Sequence, residues 1–120
     1  MKKDKETIET ELLEALHAYH DARDICQEAS EDFYDAEEER RDLQLEYDHT
    51  FYDYVKYGTP EYLSKHKVAG TKLDNAIAKS SEARIRYKSA QRTFKKAERV
   101  YDRLQKRAEK MGIIVPQFGE

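Results

Sequence analysis

The residues with the clearest chemical potential in this chain are Glu14 and His17, three apart, followed by His20 and Asp24, four apart. On a helix such spacings bring two side chains to one face. Glu-x-x-His is also how carboxylate di-iron bundles aim two ligands inward. Here both residues fall on the outward side of the helix, away from its apolar positions, so the expectation is a charged surface and no metal site. Cys26 is the only cysteine, which excludes an intrachain disulfide and a Cys-rich metal site. The glycines stand at 58, 70, 112 and 119, too scattered to cradle a phosphate, and no nucleotide-loop, zinc-protease or CxxC motif occurs. These absences lead to the expectation of a non-enzymatic protein without a cofactor.

What would position these residues is a repeat. Before Gly58, apolar positions fall at Ile8, Leu12, Ala15, Tyr19, Ala22, Cys26, Ala29, Phe33, Ala36, Leu43 and Tyr47. After it they fall at Ala69, Leu73, Ala76, Ala83, Tyr87, Ala90, Phe94, Ala97, Tyr101, Leu104, Ala108 and Met111. Alternating steps of four and three mark two helices with coiled-coil seams. The fold expected is all-α: a single domain over 1–120, with one helix over about 4–54, a turn over about 55–59, a second helix over about 60–111 and an apolar tail, 112–120. Gly58 is suited to close the first helix, Thr59 to cap the second, and Pro60 to occupy its first turn. Gly112 and Ile113 suit a Schellman ending, and Ile113, Ile114, Val115 and Phe118 are expected to fold back near Ile8 and Leu12.

Charge supplies a direction for the pairing. Residues 1–57 hold 7 Lys+Arg against 18 Asp+Glu, a net of −11, and residues 58–120 hold 15 against 7, a net of +8. An acidic helix followed by a basic one attracts itself as a long antiparallel hairpin, and the short turn demands the same. Folding symmetrically about Gly58 makes facing residue numbers sum to 116. The layers then read Tyr47/Ala69, Leu43/Leu73, Arg40/Ala76, Ala36/Ser80, Phe33/Ala83, Ala29/Tyr87, Cys26/Ala90, Ala22/Phe94, Tyr19/Ala97, Ala15/Tyr101 and Leu12/Leu104, so every ring faces an alanine and the seam closes without voids. Edge pairs such as Asp53/Lys65, Glu39/Lys79, Asp32/Arg86 and Glu11/Arg107 are opposite in sign. A slip of one whole heptad preserves the ring/alanine alternation, and only the turn chemistry argues against it. A two-helix seam buries little surface for its length, so a homodimer giving a four-helix arrangement is expected.

Near the turn the seam becomes polar, with Arg40, Thr50 and His66, and aromatic side chains crowd together. Phe51, Tyr52, Tyr54, Tyr57 and Tyr62 form a tyrosine-rich tip of the kind that suits protein contacts, because tyrosine joins a large apolar ring to a polar end. The acidic run Glu37, Glu38 and Glu39 is a second candidate surface for a protein partner, or for mimicry of a phosphate backbone. Nucleic acid is the alternative partner, through Arg84, Lys88, Arg92, Lys95, Lys96, Arg99 and Arg103 on the basic helix. Against it, the cations of this helix taken together, with Lys79, Arg86, Lys106, Arg107 and Lys110 among them, are expected to spread round the exposed positions instead of forming one stripe.

At 120 residues with 39% charged side chains, the chain has no apolar run long enough for a secretion signal or a membrane span. A cytoplasmic location is the expectation. In outline the chain resembles the secreted tryptophan–x–glycine hairpin proteins of Gram-positive bacteria. Its turn reads Lys56-Tyr57-Gly58, it contains no Trp, and Gln91 and Gln105 stand where that family's export signal would place an acid after Tyr87 and Tyr101. The resemblance implies the hairpin shape alone.

Overall fold

The computed structural model describes residues 4–113. Two helices account for nearly all of them, α1 (Lys5–Tyr57) and α2 (Pro60–Lys110), and they form an antiparallel coiled-coil hairpin. Asp4 caps α1: its carboxylate accepts the Thr7 backbone N–H at 2.8 Å, which holds the Asp4 carboxyl below the usual range. α1 runs three residues past the expected end. Gly58, at φ 64°, closes it by donating its N–H to the Tyr54 carbonyl at 2.8 Å. The Tyr57 ring, in that added turn, stacks on Tyr62 with centroids 4.8 Å apart. Thr59 and Pro60 then start α2, the Tyr62 N–H reaching the Thr59 hydroxyl at 3.4 Å. At the far end Ile113 N–H bonds the Ala108 carbonyl at 3.0 Å and Gly112 N–H bonds Glu109 at 3.1 Å, with Gly112 at φ 76°. This is the Schellman pair. The tail expectation for Ile114, Val115 and Phe118 lies outside the described residues.

Every seam position read from the repeat is buried or half-buried. The residues group into two compact units, one from 1–27 with 89–120, the other from Glu28–Lys88. In the first, Ile8, Leu12, Ala15, Tyr101 and Ala108 form the core, and Leu16, Leu104, Met111 and Ile113 pack on it. The Tyr19 ring sits between Phe94 and Tyr101, at 5.1 and 6.2 Å. Those two contacts straddle Ala97, the layer partner expected for Tyr19. The register is therefore the symmetric one, and a whole-heptad slip is excluded.

In the second unit the seam alanines of α2 are buried, while Ala29 and Ala36 of α1 and the seam rings are half-buried. Ala69, Leu73, Ala76, Ser80 and Ala83 lie inside on α2, whereas Phe33, Tyr47 and Tyr87 are half-buried. A seam only two helices wide covers a large ring on one side only. Glu39 meets Lys79 at 3.7 Å, as expected, and Glu46 meets Lys72 at 3.8 Å. Lys65 turns instead to Glu61 and Arg86 to Glu82, within their own helix. Exposed pairs of either kind are worth about 0–1 kcal/mol, so local geometry easily chooses between them.

Candidate functional site

The last two turns of α1 gather the exposed apolar surface nearest the turn. Phe51, Tyr52, Val55 and Tyr57 are 53, 60, 66 and 51% exposed. Helical phase sorts the five aromatic candidates. Tyr54 falls on the seam and Tyr62 on the mirror position of α2, so both are half-buried, while Phe51, Tyr52 and Tyr57 face outward. Lys56 holds its ammonium 5.9 Å from the Tyr52 ring centroid and 5.3 Å from that of Tyr57, and Lys65 sits 5.4 Å from Tyr62. These ammonium groups lie over the ring faces, where the negative face of an aromatic ring attracts a cation.

Beneath this surface lies a polar layer. The Thr50 hydroxyl donates its one proton to the Tyr47 carbonyl at 2.9 Å. It therefore accepts from His66 Nδ1, 3.0 Å away, which assigns a proton to that nitrogen. The imidazole is sandwiched by Tyr47 at 4.4 Å and Phe51 at 5.5 Å. The geometry gives His66 a packing role.

The acidic run divides among three tasks, because consecutive helix residues point about 100° apart. Glu37 turns inward: it accepts a short hydrogen bond from the Ser80 hydroxyl and a bidentate pair from Arg40 at 3.2 and 3.0 Å. The Arg40 bond first, then that of Ser80, holds the Glu37 carboxyl down to about 2. The same pairing raises Arg40. Glu38 and Glu39 are both exposed, and Glu39 is engaged with Lys79. The three thus form no single patch.

Within the wider spread of cations on the basic helix, one subset lines up. Arg92, Lys95, Lys96, Arg99 and Arg103 are spaced i, i+3, i+4, i+7 and i+11, which places them on one stripe of α2. All are exposed. The seam phase visible in the sequence already contained this stripe; counting heptad letters instead of angles concealed it. Arg84 and Lys88 are likewise exposed, in the other unit. Among the described residues none of these seven cations forms an ion pair.

Glu14 and His17 face outward as expected, and His20 is half-buried against Tyr19 at 5.9 Å. Among the described residues no three of His, Cys, Asp or Glu come together as a metal-holding group. No described helix is long and apolar enough to cross a membrane. Comparison with known proteins finds no matching family model, no matching curated protein and no matching solved structure.

Proposed function

We propose that this chain is a non-enzymatic protein-binding hairpin of the cytoplasm, an adaptor, assembly factor or inhibitor, which engages its partner through the aromatic turn. The observation that carries the reading is the cluster Phe51, Tyr52, Val55 and Tyr57, each more than half exposed within seven residues. Rings of this kind bring large contact area at small conformational cost and dominate binding energetics when desolvated. Tyr52 and Val55 are the residues to vary, since neither packs on the hairpin's own seam. Affinity capture from native lysate, followed by mass spectrometry, should recover a partner with the natural chain. Tyr52→Ser/Val55→Ser should lose it while far-ultraviolet circular dichroism stays the same. Capture that persists in the double variant would reduce the turn to a structural cap.

The unpaired stripe on α2 supports a second reading, in which Arg92, Lys95, Lys96, Arg99 and Arg103 bind a phosphate backbone. Such binding weakens steeply with salt because each neutralised phosphate releases counterions. A mobility shift at low salt, abolished by Lys95→Gln/Lys96→Gln/Arg99→Gln, would support it. No retardation of DNA or RNA at low salt would end it.

A further inference from the structure

The two flanks of the seam in the unit Glu28–Lys88 differ in kind. One carries Asp53 and Lys65, Glu46 and Lys72, Glu39 and Lys79, and Asp32 and Arg86, eight charged residues at four facing positions, of which Glu46–Lys72 and Glu39–Lys79 are in contact. The other, at the same heights, carries Phe51/Leu63, Gln44/Gly70, Glu37/Ile77 and Ser30/Arg84. Glu37 on this second flank is satisfied internally by Arg40 and Ser80. From Glu37 to the turn, therefore, the flank offers Phe51, Leu63, Gly70, Ile77 and the amide of Gln44, with no outward charge. Ile77 is 43% exposed. An apolar stripe widened from the seam onto one flank marks a helix that packs on two sides.

Gly70 adds an independent sign. A glycine inside a helix costs about 1 kcal/mol relative to alanine. A Cβ there would meet only the Tyr47 ring, at 3.4 Å, an ordinary contact, so the hairpin itself does not demand glycine. A bare backbone at the centre of an uncharged flank lets another helix approach closely.

We propose that a second copy of this chain docks on the flank formed by Gln44, Phe51, Leu63, Gly70 and Ile77, with α1 of each copy lying over α2 of the other. Charge selects both the occupant and its direction. Residues 28–57 hold 11 Asp+Glu against 3 Lys+Arg, and residues 58–88 hold 3 against 7. A two-fold axis across the helices would stack the acidic segments on each other. An axis alongside them sets acidic on basic, with antiparallel neighbours throughout and the two turns at the same end. Outside the apolar strip this arrangement brings Arg41 to Asp74 of the other copy and Asp48 to Lys67 of the other copy. Both rim pairs are opposite in sign, giving an apolar centre inside a polar margin. The contact shares Phe51 with the surface proposed for the partner, so its test is confined to residues outside that cluster and avoids Phe51, Tyr52 and Val55.

Sedimentation velocity on the full chain at micromolar concentration should show a dimer. Ile77→Lys should raise the dissociation constant at least about tenfold, because an ammonium group would lose its water at the centre of the contact. Helicity should persist, since residue 77 is partly exposed in the single chain. Val68→Lys, on the other side of α2, should leave the dimer intact. Arg41→Asp should weaken it, and Arg41→Asp/Asp74→Arg should restore it. A monomeric natural chain, or a dimer indifferent to Ile77→Lys, would overturn the proposal. Failure of the exchanged charge pair to restore association would overturn the same-end arrangement.

Discussion

Single residues in this hairpin do their work where the seam departs from alanine and rings. Glu37 is held at about 2 against the usual 4.5, so the folded state binds its proton less readily than the unfolded chain. Its contribution to stability is complete above the unfolded value and is lost as pH falls from about 4.5 towards 2. Thermal midpoints followed by circular dichroism should therefore drop more steeply across that window in the natural chain than in Glu37→Gln. Ser80→Ala should give an intermediate profile, since Arg40 supplies the larger share. His66 and Thr50 obey a different logic. Thr50→Val strands the His66 Nδ1–H and should cost about 1 kcal/mol in urea denaturation, the penalty of a donor left without its partner. Thr50→Val/His66→Leu should recover most of it, because replacing both members of a polar pair removes the penalty. None of this was legible beforehand for Glu37. Three consecutive glutamates look alike in sequence, and only the neighbouring Arg40 and a serine on the other helix distinguish the first.

The helices themselves were legible because a 3.5-residue period leaves no other way to keep Tyr19, Ala22, Cys26 and their successors on one side. Their ends were legible from Gly58 and Gly112, the two glycines with positive φ among the described residues. The extent of α1 was not, since Tyr57 continues the helix by stacking on Tyr62, a contact formed only once the chain has turned back. Nothing lies within 4 Å of a Cβ at Gly58 or Gly112, so substitution there tests backbone strain alone. Gly112→Ala should cost about 1 kcal/mol, the penalty of a left-handed conformation for an L-residue. The equilibrium unfolding curve should show it without a change in helicity. Gly70→Ala should do the reverse for the single hairpin, gaining a fraction of the roughly 1 kcal/mol that glycine costs mid-helix. The candidate surfaces divide along the same line. Tyr52 and Tyr54 are equivalent as letters, yet two residues of helix carry one to solvent and the other to the seam. The cation stripe on α2 likewise becomes visible only when positions are converted to angles.

For the whole molecule, the segregation of −11 in residues 1–57 from +8 in residues 58–120 fits a chain that pairs with itself. The aromatic turn, the uncharged flank and the paired flank all depend on that closure and on its register. The register rests on a few cross-helix contacts that a heptad slip would destroy, among them Tyr19 between Phe94 and Tyr101, and Thr50 against His66. The most direct measurement is nuclear Overhauser spectroscopy on labelled protein refolded with an excess of unlabelled chain, so that only contacts within one chain are seen. The account predicts cross-peaks from the Tyr19 ring to both Phe94 and Tyr101, undiminished by the dilution. Cross-peaks displaced by seven residues, or lost when the label is diluted, would contradict it.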